Sequence, residues 1–252
     1  MISLAKRLYN NSQIIKLRNL LGFNPVKINT YHINSDSSVS DAFLWRTEKN
    51  FTTIFKFTDL YNLFFNELGK VKIIFYDKNF QEIKEIQLSD IKLYNNFIID
   101  KNFLNGIEDY GTFYIFHETN KNIKSIIRNS CYTGFKKDNE IFSFVHGNLP
   151  VLTNKTNIKS MHNIIGKSLF FYKNYKIQKN FLDYDFSEIF VHNPTNSKIN
   201  FFLNNTNHTL NKYCSLILKV QKEKIINLKS KCFIFRPIIF SYKNNFLDVH
   251  HG

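Results

Sequence analysis

The chain has 252 residues, 43% of them hydrophobic and 21% charged, so it can bury a core and is not a disordered tail. Three cysteines (Cys131, Cys214, Cys232) without a CxxC spacing argue against a disulfide framework and a zinc ribbon. No apolar run of roughly 18 residues marks a transmembrane helix, and the N-terminus lacks a signal-peptide core, so the expectation is a soluble cytoplasmic protein.

The formal charge is +14, carried by 29 Lys and only 5 Arg. Phosphate and base readers lean on arginine forks, so the scarcity of Arg argues against nucleic acid as the partner. The 34 Asn and the wealth of Lys, Ile, Phe and Tyr are residues of A/T-rich codons, which accounts for much of the lysine excess. The charge is unevenly placed. Residues 1–22 carry four basic and no acidic side chains, residues 23–150 fifteen of each, and residues 151–252 fifteen basic against five acidic. That break predicts an N-terminal helix over 1–25, a first lobe over 26–150 and a second, basic lobe over 151–252.

In chain order, residues 1–22 read as a basic amphipathic helix interrupted at Asn10-Asn11-Ser12, with Ser12 as an N-cap, Gly22 as the C-terminal glycine and Pro25 as a stop. This segment could pack on the chain itself or on a partner, or make peripheral contact with a membrane or with glycan-synthesis enzymes. Residues 26–40, rich in Ser and Asn, read as a loop. Thr52 to Phe57 alternates as a strand. Asp59 to Leu68 reads as a helical turn with Leu60, Leu63, Phe64 and Leu68 on one face. Strands follow at Val71–Tyr76, Phe80–Leu88, around Phe97–Ile99, at Gly111–His117, Cys131–Phe135 and Ile141–His146. The second half continues with Ser168–Tyr175, Ser187–His192, Lys198–Leu203, Cys214–Gln221, Glu223–Leu228 and Phe233–Tyr242. A faint repeat sets Lys72–Asp77, opening a run that ends at Gly111–His117, beside Ile199–Asn204, opening one that ends at Phe233–Tyr242. The expected fold is mainly β: two tandem antiparallel β-sandwich-like lobes after a short basic helix, joined near Asn148–Lys167.

The chain has no P-loop, GxGxxG, GxSxG, HExxH or EF-hand loop. What remains are polar side chains at strand ends. In Ser40–Arg46, an extended chain puts Asp41, Phe43 and Trp45 on one face, and the single Trp beside Asp41 and Arg46 suits sugar stacking as well as a core position. In Phe142–Asn148, the residues Phe142, Phe144 and His146 share a face, with Asn148 after a Gly turn. The tail Asp248-Val249-His250-His251 offers Asp248 and His250 on one face. With His117 and His146 they make a candidate metal set, for which a divalent ion would be the cofactor. Arg128, Tyr132 and Arg236 complete the candidates, and Arg236 in an apolar stretch needs an anionic partner.

The motifs Ser40-Asp41…Trp45-Arg46, Gly111-Thr112-Phe113-Tyr114…His117, Val145-His146-Gly147-Asn148 and Arg236-Pro237…Asp248-Val249-His250-His251 resemble an uncharacterised bacterial β-sandwich family associated with surface-polysaccharide gene clusters. The resemblance spans about residues 40–252 and implies a carbohydrate context without a defined reaction. Three readings follow. The first is a carbohydrate-linked binding or accessory protein that holds a glycan or sugar nucleotide with Asp41, Trp45, Arg46, His146, Asn148 and Arg236. The second is an enzyme with a His-based, metal-assisted site acting on a sugar or sugar nucleotide. The third is a lysine-rich module for nucleic acid or acidic lipid.

Overall fold

A computed structural model describes residues 11–21, 37–89, 91–118, 123, 128, 131–138, 140–154, 157–163, 165–168, 171–178, 183–222, 225–232 and 235–252. The first half of the chain forms α1 (Ser12–Leu21), β1 (Ser37–Arg46), β2 (Phe51–Thr58), α2 (Leu60–Phe65), β3 (Lys70–Asp77), β4 (Glu82–Leu88), β5 (Tyr94–Ile99), β6 (Tyr110–Glu118), β7 (Tyr132–Lys137) and β8 (Ser143–His146). The hairpin β9 (Asn148–Asn154) and β10 (Asn157–Asn163) follows. The rest forms β11 (Lys173–Gln178), β12 (Phe186–His192), β13 (Ile199–Leu203), β14 (Thr206–Leu210), β15 (Ser215–Val220), β16 (Ile225–Ser230), β17 (Ile238–Lys243) and β18 (Phe246–His251).

These strands make four antiparallel sheets. The first is ordered β10-β9-β1-β6-β3-β4, the second β5-β2-β7-β8, the third β11-β16-β13-β14 and the fourth β15-β12-β17-β18. The third sheet has the order of β1-β6-β3-β4 advanced by ten strands, and the fourth that of the second advanced by ten. The chain therefore carries one topology twice, with β9–β10 added at the edge of β1. The repeat legible at Lys72–Asp77 and Ile199–Asn204 matches β3 with β13. The counterpart of β6 is β16, not the strand that ends at Tyr242.

The mainly β, antiparallel character is as expected, but the four sheets form a blade-like arrangement in place of two tandem sandwich lobes. One core lies between the third and fourth sheets, around Phe201, Ile226, Leu228, Ile189 and Ile239. A second lies between the first and second, around Phe43, Trp45, Phe55, Phe75 and Phe113. A third joins Leu44, Phe51, Phe135 and Val145 to Phe190, Ile238, Phe240 and Val249. This third core packs the two halves of the chain together, because apolar side chains of β1, β2, β7 and β8 leave water by meeting β12, β17 and β18. Within the expected join near Asn148–Lys167, between the first unit's β8 and the second unit's β11, β9 runs antiparallel to β1.

The loop expected over 26–40 gives way at its end to strand. Ser37 to Ser40 open β1, and all four are buried. Serine fits there because its hydroxyl takes over part of the ladder: Ile115 N–H donates to Ser40 Oγ (2.9 Å) and His117 N–H to Ser38 Oγ (3.1 Å). At the start of α1, Asn11 rather than Ser12 is the cap. Its Oδ1 accepts from Gln13 N–H (2.9 Å) and its carbonyl from Ile15 N–H (2.9 Å). The expected helical residues 1–10 and the stop signals Gly22 and Pro25 lie outside the described residues. Gly111 is required by a close approach. A Cβ there would stand 2.0 Å from Tyr76 O and 2.9 Å from Trp45 Nε1.

Candidate functional site

The second sheet turns its two faces to different media. Phe55, Phe57 and Ile99 point into the second core, Phe51, Phe135 and Val145 into the third. The alternate residues form an open face. Strand register arranges that face in rows. One runs Asn96, Lys56, Tyr132, His146, and the next runs Ile98, Ile54, Gly134, Phe144. On this face Tyr132 and Phe144 keep 43% and 41% of their surface in water. Such exposure costs hydrophobic free energy unless a partner covers it.

The rows are tightly specified. The Tyr132 ring lies against the His146 ring at 4.8 Å between centroids. Lys56 Nζ sits 4.8 Å from the Phe144 centroid. Phe144 packs down because Gly134 has no side chain; a Cβ there would meet Phe144 Cε1 at 2.6 Å and Ile54 Cγ2 at 2.8 Å. Lys136 Nζ is 5.3 Å from the Phe142 centroid at the far end.

At the edge of this face, further polar groups gather. His251 stacks beside His146, centroids 6.0 Å apart and planes within 9°. Burial, then the charges of Arg236 and His146, hold the His251 imidazole down at about 4, so it is neutral near pH 7. Asn148 Nδ2 donates to Arg236 O, and Arg236 Nε donates to Gly252 O (2.9 Å). Arg128 grips Asp41 with Nε–Oδ1 at 2.6 Å and Nη2–Oδ2 at 2.7 Å. Asp41 stands next to Gly147, where an added Cβ would come within 2.5 Å of Asp41 Cβ. Of the residues singled out in the sequence, the structure thus brings Asp41, His146, Asn148 and Arg236 to one edge, with Arg128 and Tyr132.

Trp45 and Arg46 are elsewhere. Trp45 is fully buried, and its indole N–H donates to Tyr76 O (2.9 Å). Arg46 is also fully buried, its guanidinium 4.0 Å from the Phe51 centroid and 4.5 Å from that of Phe240. Its Nη2 meets Glu48 Oε1 at 2.6 Å and Glu188 Oε2 at 2.8 Å, and Tyr242 OH donates to Glu188 Oε2 (2.7 Å). Burial would raise the Glu188 carboxyl, but Arg46 and the Tyr242 hydroxyl outweigh it and hold the group below the usual range. Glu48 moves the other way, because its burial outweighs Arg46. The cluster ties β1 to β12 across the third core, and its side chains are sealed from a ligand.

The candidate metal set is dispersed. His117 is buried beside Asp59 and Tyr61, and burial lowers its imidazole to about 4. Asp248 and His250 sit on the face of β18 opposite His251, with Tyr184 OH donating to Asp248 Oδ2 (3.0 Å). Among the described residues, no three His, Cys, Asp or Glu side chains are grouped to hold a metal ion.

Sequence reasoning found the shared face of Phe142, Phe144 and His146 by alternation. It missed Lys56 and Asn96, because which strand flanks β7 is a property of sheet order, not of local pattern. The face of the fourth sheet turned away from the third, equivalent by topology to this open face, carries Phe190, Ile238 and Phe240 and is buried in the third core. Compared with known proteins, the chain matches no family model and no curated protein.

Proposed function

We propose that the chain is a carbohydrate-binding accessory protein of surface-polysaccharide assembly in the cytoplasm, holding a glycan or sugar nucleotide on the open face of the second sheet. The observation that carries this reading is the row Asn96–Lys56–Tyr132–His146, with Phe144 beside it, which sets exposed rings among hydrogen-bonding side chains on one open sheet face. A pyranose offers a C–H face that stacks on Tyr132 or Phe144 and hydroxyls that pair with Asn96, Lys56 and His146. Asn148, Arg236 and the Asp41–Arg128 pair extend the polar rim.

The test is calorimetric titration of the whole protein with a panel of sugar nucleotides and acidic and neutral oligosaccharides. A member of the panel is expected to bind. Tyr132→Ala and Phe144→Ala should each weaken it by about tenfold, as loss of a stacking partner does. A panel in which nothing binds, or variants that bind like the wild type, would sink the reading. Lysines interleaved with rings are also the pattern of single-strand binders. An oligonucleotide that binds the same face, with affinity falling steeply as salt rises, would favour that alternative.

A further inference from the structure

The sequence places Leu60, Leu63, Phe64 and Leu68 on one face of a helical turn. Only Leu60 and Tyr61 are buried. Leu63, Phe64, Phe65 and Leu68 stand out with 51%, 65%, 37% and 80% of their surface in water. The projection is not a loose loop. Asp59, itself fully buried, caps the helix by accepting from Tyr61 N–H (3.1 Å) and Asn62 N–H (3.2 Å). Asn66 closes it in a left-handed conformation (φ 52°), its N–H bonded to Asn62 O. Asp59 N–H also donates to Leu93 O, pinning the turn to the start of β5.

We infer that this tip is a wedge that docks the protein on an anionic lipid bilayer. A protein groove takes a helix by a stripe at i, i+3, i+4 and i+7 over two or more turns. Here the helix is six residues long, and the exposed Leu68 lies beyond its C-cap Asn66, so the apolar side chains do not form such a stripe. A short projecting tip with four exposed apolar side chains is suited to an apolar medium around it, which acyl chains provide. The base of the tip has the matching charge. Lys70, Lys92 and Lys56 are exposed, whereas of the tip's own carboxylates Asp59 is turned inward and Glu67 is half-buried. Lysines so placed reach lipid phosphates while the tip enters the acyl region. Tyr94, 75% exposed and paired with Thr58 beside the tip, sits where an interfacial aromatic belongs. The tip follows β2 directly, so docking would hold the open face of the second sheet beside the bilayer.

The test is sedimentation of the full chain with vesicles of phosphatidylcholine, alone or mixed with phosphatidylglycerol. The wild type is expected to pellet with the mixed vesicles and more weakly with the neutral ones. Phe64→Ser and Leu68→Ser should each weaken this by about tenfold or more, the value of removing one large apolar side chain from lipid. Because both residues are exposed, the melting temperature should not change. Lys70→Glu with Lys92→Glu should reduce binding to the mixed vesicles only. Failure of the wild type to bind either vesicle would overturn the inference, as would equal binding by the serine variants. A dimer in analytical ultracentrifugation that the same serine variants abolish would assign the tip to a second copy instead. Sugar titration of the serine variants separates this inference from the proposed function, since they leave Tyr132 and Phe144 intact.

Discussion

Acid should destabilise this protein well above the pH at which its carboxylates titrate, and buried histidines make a large part of the effect. His192 Nε2 lies 3.2 Å from Tyr114 OH and its Nδ1 3.0 Å from Ser215 Oγ, in a site that excludes water. Burial lowers His192 to about 3 and His117 to about 4, from an ordinary 6.5. In the unfolded chain both take up a proton as pH falls through 6.5, and in the folded chain neither does until far lower. The unfolded state then binds more protons, so stability is lost as pH falls. Between pH 7 and pH 5, linkage with these values costs about 1.9 kcal/mol for His192 and about 3.7 kcal/mol for the two together. That is a large share of the roughly 5–15 kcal/mol of a typical domain. Urea unfolding followed by far-UV circular dichroism at pH 7, 6 and 5 would read it as a falling midpoint at constant slope. His192→Gln, which keeps one donor and one acceptor, should flatten the dependence by the share of one histidine, about 1.9 kcal/mol between pH 7 and 5, whatever it does to stability at pH 7. A midpoint unchanged from pH 7 to 5 would refute the reasoning, and so would a variant with the wild-type slope in pH.

Two further outcomes follow from the buried contacts. Glu188→Gln removes a charge partner from a fully buried Arg46, and is expected to cost about 3 kcal/mol, read from the urea midpoint at pH 7. Because the folded Glu188 carboxyl is held low, its contribution is present above the unfolded value and fades as pH falls toward the folded one. The Glu188→Gln penalty should therefore shrink in acid. Gly111→Ala places a methyl against the Tyr76 carbonyl and the Trp45 indole, and should cost about 3 kcal/mol or prevent folding; a melting temperature equal to that of the wild type would contradict the packing there.

Local alternation carried much of the fold in the sequence. Thr52 to Phe57 and Phe142 to His146 announced both their strands and the division of their faces, because a two-residue period follows from the strand itself. Ser37 to Ser40 gave no such signal, since their strand depends on hydroxyls that meet β6 from far along the chain. Trp45 and Arg46 looked like site residues because an aromatic ring beside a carboxylate and a guanidinium suits sugar stacking. Their burial is decided by Tyr76 O, Glu188 and two phenyl rings brought in by sheet packing. The tip at Leu63–Leu68 misled in the opposite sense. Its apolar residues have helical spacing, but spacing alone does not say whether anything stands opposite.

Two units of the same topology meet through a core of the kind a homodimer would use, yet they are tethered by one chain. A homodimer dissociates on dilution, and its stability rises with protein concentration. Here the second unit is always present at the effective concentration set by the connecting segment, at any protein concentration. The joint between the units is therefore as firm at nanomolar as at micromolar levels, and a scarce protein can keep one face assembled and ready.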